Sequence, residues 1–367
     1  EAAAKEGIRT VMFRQERGAI MAADAFSRLN DRKKFGVAVT QAGPGSENSM
    51  GGIAQAFADN VPILYLPEGP NLDKYAVSPS FSPVRSYQTV SKYGEIVLSP
   101  DQIYNAMRRA FHALRNGRPG PVIVEVAMDV GLQEVPDNAP GYRSPKMFLQ
   151  RPSAGDIKDA VGLLLNAKKP VIWSGMGVLL SGATAELREL AELTEIPVYC
   201  TMPGKSSFDE RHPLSLGAGS RATTLQARRW LQESDVLFAV GSSMTRTSYG
   251  QPIPDGKTII QNVGSIEDLN KDFSVDVGLP GDAKLTLQAM IEEVKARIGE
   301  NGRRGQTTIS AEIASIKGEW LAEWTPLLES DEVPINPYRV IGELERTLDK
   351  ENSIVTHDAG APRDSIM

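Results

Sequence analysis

Short apolar runs alternate with helical stretches along most of this chain, and this alternation constrains its fold more than any other feature. In a first block, strands are predicted at residues 10–13, 35–40, 61–66 and 122–126, and helices at 18–29, 48–58 and 100–115. Most of these strands are continuously apolar, as expected of strands that are buried on both faces of a parallel sheet. The pattern predicts an α/β fold built from parallel sheets covered by helices.

A second block repeats the pattern, and a third block begins near the end of the sequence. In the second block, strands are predicted at residues 170–174, 197–201, 236–240 and 258–261, with helices near 183–194 and 225–232. A helix at 311–324 leads to the third block, in which we predict a helix ending near residue 348 and a strand at 353–356. The stretch 136–153 is rich in Pro and Gly, lacks periodicity and is interpreted as a linker.

Composition argues against several classes of protein. The 367 residues carry a net charge of −6 and no long basic run, which disfavours nucleic-acid binding. No apolar stretch approaches the roughly 18–20 residues that span a bilayer. The single cysteine, Cys200, fits a reducing compartment such as the cytoplasm, and its strand-like neighbours favour a buried structural thiol. The histidines His112, His212 and His357 are too far apart along the chain for metal-ligand spacing.

The first candidate site residue is Glu16, which stands between the predicted strand 10–13 and the following helix. Carboxyl ends of parallel strands are where such sheets bind ligands. A glutamate that opens a helix ordinarily interacts with the helix dipole. The apolar strand and the small residues 18–23 also favour partial burial. A partly buried carboxylate has a raised pKa and can hold or donate a proton near neutral pH.

A second turn follows the next predicted strand and contains Gly43 and Pro44. Glycine lets the backbone approach a flat ligand and proline directs the turn, although a purely structural turn explains the same residues. We expect the Asn48 side chain to cap the helix that follows. Gln41 occupies a position that can face a substrate, where its amide would orient a carboxylate or a carbonyl group. An amide that bonds only to the backbone is an equally weighted alternative.

At five places the sequence resembles thiamine-diphosphate enzymes similar to acetolactate synthase. Residues 14–19, RQERGA, resemble the family segment Arg-His-Glu-Gln-Gly-Ala, and residues 40–48, TQAGPGSEN, resemble its glycine-rich turn with one extra residue before the first glycine. The other matches are NGRPGPV at 116–122, PGK at 203–205 with ERHPLSLG at 210–217, and THDAG at 356–360. The five matches follow the order of the family over the whole chain, and together they are far more specific than any one alone.

The resemblance implies three αβα domains, of which the third has only begun in this chain. It divides the chain into a pyrimidine-binding domain at 1–133, a linker at 134–153, a central Rossmann-like domain at 154–300, a helical connection at 301–334 and the start of a diphosphate-binding domain at 335–367. It also implies that the first strand and helix precede Glu1 and that most of the third domain follows Met367. The sequence is therefore expected to be part of a longer polypeptide.

The resemblance also implies thiamine diphosphate as cofactor and a 2-oxo acid or an aldehyde as substrate. Glu16 would hydrogen-bond the aminopyrimidine ring of the cofactor and favour its imino tautomer, and Gln41 would act on the substrate. Mg²⁺ would hold the diphosphate through ligands beyond Met367, so no metal ligand is assigned in this chain. Because this glutamate acts on cofactor bound mostly by the partner subunit, a homodimer or homotetramer is implied. The implied cofactor-binding residues are Gly43, Pro44, Asn48, Asp358, Gly360 and Ala361.

Decarboxylation or carboligation of 2-oxo acids is the leading hypothesis for function, and departures from the best-known relatives leave alternatives open. Gln15 replaces a histidine found in many relatives, and Met128 replaces the lysine usual in acetolactate synthases, so the substrate stays open. Residues 241–246 lack the paired arginine–aspartate pattern with which some relatives bind FAD, and residues 262–264 lack their acidic residues, so the sequence does not establish FAD binding. Arg246 is a candidate phosphate ligand, and an exposed structural arginine is an equally weighted alternative. The other hypotheses are a catalytically silent relative that serves as a binding or regulatory subunit, and a flavin-containing 2-oxo acid oxidase.

Overall fold

The computed structural model describes residues 2–30, 34–135 and 142–357, which form two compact units that meet between Leu149 and Gln150 in the sequence. Each unit contains one sheet, and every strand pair in both sheets is parallel within the described residues. The predicted α/β class with parallel sheets is therefore confirmed. The predicted boundaries of the five segments stay a prediction.

The described residues of the first unit form a four-stranded sheet with the strand order β1-β2-β4-β3. Two short 3₁₀ helices, Leu72–Lys74 and Pro100–Gln102, lie in its connections. The other elements, in chain order, are α1 Ala2–Lys5, α2 Glu16–Leu29, β1 Gly36–Thr40, α3 Pro44–Ala58, β2 Ile63–Gly69, α4 Pro83–Ser86, β3 Tyr93–Val97, α5 Ile103–Arg115 and β4 Val122–Ala127.

Side chains of the central strands alternate between two cores because successive residues of a strand point to opposite faces. On one face, Ile63 and Ile123 pack with residues of α2 and α3. On the other face, Leu64 and Val124 pack with residues of α5. Helices thus cover both faces, which explains why β2 and β4 are nearly continuous apolar runs. Strand β3 was not predicted, because Gly94 and Glu95 interrupt its apolar residues.

Residues 10–13 do not form the predicted strand. They have no regular structure, and Met12 is 90% exposed. A strand requires a hydrogen-bonded neighbour, and among the described residues β1 pairs only with β2. The outer edge of β1 therefore carries no described partner, and Val37 and Val39 of this strand are exposed. The run at 10–13 was a misleading signal because apolar composition alone does not provide a neighbouring strand to hydrogen-bond with.

The described residues of the second unit form a six-stranded sheet with the order β10-β9-β8-β5-β6-β7. A short 3₁₀ helix, Ile266–Asp268, lies between its last two strands. The other elements are α6 Ala154–Asn166, β5 Val171–Ser174, α7 Met176–Leu180, α8 Thr184–Thr194, β6 Val198–Thr201, β7 Ser215–Gly219, α9 Leu225–Glu233, β8 Val236–Val240, β9 Thr258–Val263, β10 Val277–Pro280, α10 Ala283–Ile298, α11 Ile309–Leu328 and α12 Pro337–Thr347.

The second sheet also separates two cores. One contains Phe238 with residues of α6, α8 and α10, and the other contains Trp173 and Trp230 with residues of α9 and α11. The indole N–H of Trp230 donates to the Pro170 carbonyl at 3.1 Å, which satisfies the polar atom of a fully buried side chain. Cys200 is buried and free, as predicted.

Several elements of the second unit differ from the prediction. Strands β7 and β10 were missed because their sequences, SLGAG and VGLP, are short and contain glycine or proline. Helices α6 and α10 were missed although Ser153 and Asp282 cap them with their side chains, a signal the sequence carries. Residues 353–356 form no strand, and Ile354 is 94% exposed. As at residues 10–13, no strand of the described chain lies beside them to pair with.

Within the described residues, no helix combines the length and the apolar character needed to cross a membrane.

Candidate functional site

Glu16 is the first residue of α2, which begins two residues before its predicted start, and its carboxylate contacts a side chain from α3. The amide Nδ2 of Asn48 donates a hydrogen bond to Oε2 of Glu16 at 2.8 Å. Close packing of the two helices makes this contact possible: a Cβ atom at Gly52 would lie only 2.8 Å from Cγ2 of Ile20. The structure therefore brings together two site residues that are 32 positions apart in the sequence.

Helix α3 begins earlier than predicted. Gly43 occupies the N-cap position with φ of 65°, a conformation that glycine adopts without strain, and Pro44 is the first helical residue. Asn48 consequently lies beyond the first turn of the helix. The prediction that Asn48 caps α3 is wrong, because the Gly-Pro pair already sets the start of the helix and leaves the Asn48 amide free for Glu16.

Gln41 lies next to Glu16 across the same turn, and its side chain is exposed. A Cβ atom at Gly45 would lie 3.0 Å from Cγ of Gln41 and 3.7 Å from Oε1 of Glu16. The hydroxyl of Ser46 donates to the Gln41 carbonyl at 3.1 Å, which ties the turn back onto the helix. The missing side chain of Gly45 thus leaves a small space bordered by Glu16 and Gln41.

The electrostatic environment of Glu16 differs from the prediction. The side chain is partly exposed, and the hydrogen bond from Asn48 lowers the pKa of Glu16 below its ordinary value. A donor that binds the charged form of a carboxylate favours that form, and here this effect exceeds the small effect of burial. The expected raised pKa is therefore wrong for the described chain, in which Glu16 is an ionised carboxylate at neutral pH.

The remaining predicted site residues are placed only in part. Asp358, Gly360 and Ala361 lie outside the described residues. Met128, which the sequence resemblance places where acetolactate synthases have lysine, follows β4 and is exposed. Among the residues that the structure describes, no three His, Cys, Asp or Glu side chains are grouped so as to hold a metal ion.

Two tyrosines that the sequence analysis did not select lie behind the site. The Tyr65 hydroxyl is 2.7 Å from Oγ1 of Thr40, the residue before Gln41, and the Tyr87 hydroxyl donates to the Ser46 carbonyl. Both side chains are fully buried. The signal for Tyr65 was present, since a phenol inside an otherwise apolar strand needs a polar partner in the core.

Glycine turns follow two strands of the second unit, with Gly175 directly after β5 and Gly241 directly after β8. A Cβ atom at Gly175 would lie 2.8 Å from Cβ of Ser242, and one at Gly177 would lie 2.6 Å from Cα of Gly241. The two turns therefore pack backbone against backbone. Arg246, considered as a phosphate ligand, places its guanidinium 4.5 Å from the centroid of the Phe273 ring. These contacts give the two turns and Arg246 a structural role in the described chain.

Comparison with known proteins relates both units to one family. Residues 1–87 match the family model described as thiamine pyrophosphate enzyme, N-terminal TPP binding domain, and residues 157–290 match the model described as its central domain. A probable acetolactate synthase large subunit of Methanococcus aeolicus is 32% identical over 95% of this chain and 60% of its own length. An acetolactate synthase large subunit of Corynebacterium glutamicum is 34% identical over 80% of this chain and 47% of its own.

A solved structure shows the same fold. Benzoylformate decarboxylase from Polynucleobacter necessarius superposes with a TM-score of 0.67 at 21% identity, over 78% of this chain and 54% of that one. The chain spans about 60% of the length of the curated relative from Methanococcus aeolicus. Through its N-terminal and central domains, the chain belongs to the thiamine pyrophosphate enzymes, as the sequence resemblance predicts.

Proposed function

We propose that the protein is a thiamine-diphosphate-dependent enzyme that breaks or forms a carbon–carbon bond next to a carbonyl group. The reaction is the decarboxylation of a 2-oxo acid, its ligation to a second carbonyl compound, or both. The observation that carries the proposal is the hydrogen bond between Asn48 and Glu16 beside the Gly43–Pro44 turn. Acetolactate synthases and a benzoylformate decarboxylase among the similar proteins support this class of chemistry.

The site residues fit the pyrimidine ring of the cofactor. The Asn48 amide donates a hydrogen bond to Oε2 of Glu16, and Oε1 of Glu16 faces the space beside Gly45. When bound, thiamine diphosphate supplies the electron sink for bond cleavage next to a carbonyl group. Glu16 would hold the proton-bearing edge of the ring, and Asn48 would fix the carboxylate in one orientation. Gln41 would orient the carbonyl or carboxylate of the substrate from the other side of the turn.

The other half of the site requires residues beyond the described chain. Asp358, Gly360 and Ala361 are proposed to bind the diphosphate, and Mg²⁺ is proposed to take its ligands after Met367. Exposed apolar side chains near Glu16 support a homodimer or a homotetramer. Met12 and Phe13 are exposed, and Phe13 would lie 3.8 Å from a Cβ atom at Gly18, half a turn beyond Glu16. A partner subunit that covered them would also shield Glu16 from water.

The test is a product assay of the whole protein with thiamine diphosphate, Mg²⁺ and a panel of 2-oxo acids that starts with pyruvate. Release of carbon dioxide and formation of ligation products are measured separately. We expect Glu16→Gln to fold normally and to lower turnover by roughly 10²–10⁴-fold, the range for loss of a proton-transfer group. Glu134→Gln is the matched control, because Glu134 is exposed in the same unit and is expected to leave turnover unchanged.

Two outcomes would contradict the proposal. Substantial turnover by Glu16→Gln would remove the proposed role of this carboxylate. Absence of turnover with every 2-oxo acid, in protein that has intact Glu16 and bound cofactor, would favour a catalytically silent relative. A visible absorption spectrum of the purified protein tests the flavin alternative, because bound flavin absorbs visible light and thiamine diphosphate does not.

A further inference from the structure

The turn that carries Gln41 is held from inside the core at both of its ends. At one end, the Tyr65 hydroxyl on β2 lies 2.7 Å from Oγ1 of Thr40. At the other end, the Tyr87 hydroxyl donates to the carbonyl oxygen of Ser46 in the first turn of α3. Both tyrosines have no exposed surface. Two hydroxyl groups thus reach the turn between β1 and α3 from its buried side, while the Gln41 side chain on the turn is exposed.

The two tyrosine rings form one packed element. They stack with an interplanar angle of 12° and centroids 6.2 Å apart, and Phe81 packs on Tyr87 with centroids 6.0 Å apart. Burial, with a smaller contribution from the neighbouring Tyr65 hydroxyl, raises the pKa of Tyr87 well above its ordinary value. The Tyr87 hydroxyl therefore keeps its proton and remains a donor over the whole physiological pH range.

A buried carboxylate fixes the segment that carries Tyr87. Glu125 on β4 is completely buried and accepts three hydrogen bonds, from the Ser82 hydroxyl at 2.8 Å, the Val84 amide at 2.9 Å and the Tyr75 hydroxyl at 3.0 Å. Ser82 and Val84 bracket the start of α4, and Tyr87 follows its last residue. Burial of a carboxylate is costly unless donors satisfy it, so this short helix is tied firmly to the centre of the sheet.

We propose that Tyr65, Tyr87 and Glu125 are positioning residues for the proposed reaction. Glu125 holds α4 in place, α4 presents Tyr87, and the two tyrosines hold the turn so that Gln41 stays beside Glu16. The hydroxyl of Ser46, which binds the Gln41 carbonyl at 3.1 Å, transmits the restraint to Gln41 itself. The catalytic consequence rests on the function proposed above, whereas the restraint on the turn is a property of the fold and is measurable without turnover.

Hydrogen–deuterium exchange tests the restraint directly. In Tyr87→Phe, we expect exchange of the amides at 41–48 to accelerate roughly three- to tenfold, as loss of one buried hydrogen bond predicts. Amides of β4 are expected to keep their wild-type rates. Tyr93→Phe is the control, because the Tyr93 hydroxyl donates to Glu95 at 2.5 Å on the far edge of the sheet. Unchanged exchange at 41–48 in Tyr87→Phe would overturn the proposal, whatever the activity.

Turnover distinguishes positioning from a merely structural role. With pyruvate as the substrate, Tyr87→Phe is expected to lower kcat roughly three- to tenfold while leaving the KM for thiamine diphosphate unchanged. In a Gln41→Ala background, the same substitution is expected to have no further effect on kcat, because the side chain that Tyr87 is proposed to position is already absent. Multiplicative losses in the double variant would overturn the proposal. If the wild-type protein turns over no 2-oxo acid, the proposed function fails and the exchange experiment still decides whether the tyrosines restrain the turn.

Discussion

Glycine-containing turns follow strands in both units, yet the two sets of turns have different surroundings. In the first unit, Gly45 borders a space that also touches Glu16 and Gln41, of which Glu16 is partly exposed and Gln41 is exposed. In the second unit, Gly175 and Gly177 lie against the backbone of Gly241, the turn that follows β8. The first arrangement leaves room for a ligand, whereas the second uses the missing side chains to bring two turns together.

The difference shows that a glycine after a strand is an ambiguous signal. It permits close approach of another backbone or of a ligand, and the sequence does not distinguish these two neighbours. What distinguishes the first unit is the set of polar groups near the glycine, which are the Glu16 carboxylate and the side-chain amides of Gln41 and Asn48. If this interpretation is right, substitutions at the two sets of turns should affect different properties, with stability lost in the second unit and ligand binding lost in the first.

Among the substitutions that compare the two sets of turns, the largest effect is expected for Gly175→Ala. Its new Cβ atom would lie 2.8 Å from Cβ of Ser242 and closer still to the backbone of Gly241, which cannot move without shifting β8. We expect a loss of about 3 kcal/mol in the free energy of unfolding, the upper part of the usual range for overpacking. Urea denaturation measures this loss.

Gly264→Ala is the control for that experiment, because no atom lies within 4 Å of the position where its Cβ would be. We expect this variant to stay within about 0.5 kcal/mol of the wild type, as surface substitutions usually do. A comparable loss in both variants would mean that the close packing of the two turns is not what makes Gly175 necessary.

Gly45→Ala should show the opposite behaviour. The nearest atom to its new Cβ is Cγ of Gln41 at 3.0 Å, which belongs to an exposed, flexible side chain that can turn away. Stability is expected to change by less than about 1 kcal/mol, because alanine also favours the helix in which it would stand. Thiamine diphosphate binding by the whole protein, measured by calorimetry, is expected to weaken roughly tenfold, or about 1.4 kcal/mol.

A loss of stability without a loss of affinity in Gly45→Ala would assign this turn to the same structural class as the turns of the second unit. The space beside Glu16 would then have no relation to a ligand.

The fold class and the residues of β8 were predictable from the sequence, because a continuous apolar run between turn residues has few other interpretations. The strands predicted at residues 10–13 and 353–356 do not form, because the apolar residues there lack a neighbouring strand among the described residues. Glu16 and Asn48 were both candidate site residues, but their direct contact was not predicted. That contact depends on how closely α2 packs on α3, which Gly52 permits and which no local pattern encodes.

The environment of Glu16 was the least predictable part of the site. Carboxylates at the starts of helices occur in many different surroundings, and the pKa of each one depends on which hydrogen-bond donor reaches it from elsewhere in the fold. Here the donor is Asn48, which the sequence analysis assigned to capping instead. The pair Gly43–Pro44 already carried the correct signal, since proline at the first helical position places Asn48 beyond the capping region.

A smaller effect is expected for Asn48→Ala. Removal of the amide takes away the main cause that lowers the pKa of Glu16, so this pKa should rise toward its ordinary value. We expect kcat to fall roughly fivefold, since one charge-assisted hydrogen bond orients the carboxylate. Carboxyl titration by NMR measures the pKa, and Asn105→Ala on the exposed face of α5 is the control. A pKa that does not move would remove Asn48 from the site.

The smallest effect concerns the dependence of stability on pH, and it compares Glu16 with Asp235 in the second unit. Burial acts to raise the pKa of Asp235, but backbone amides, including those of Lys168 at 2.8 Å and Lys169 at 2.9 Å, outweigh it and lower the pKa. Both carboxylates have folded-state pKa values below their unfolded values. Each therefore stabilises the fold above its unfolded pKa, and this contribution is lost as the pH falls through its folded pKa.

Once the protein assembles, the stability contributions of the two carboxylates should differ in how they depend on protein concentration. The amides that bind Asp235 belong to its own unit, so its contribution is expected to be independent of protein concentration. Glu16 is bound by one exposed side chain, and a partner subunit that covered it with apolar groups would raise its pKa by desolvation. The difference in stability between the wild type and Glu16→Gln, measured from pH 6 down to pH 3, should then depend on protein concentration, while that between the wild type and Asp235→Asn should not. If neither difference in stability depends on protein concentration, no partner subunit buries Glu16.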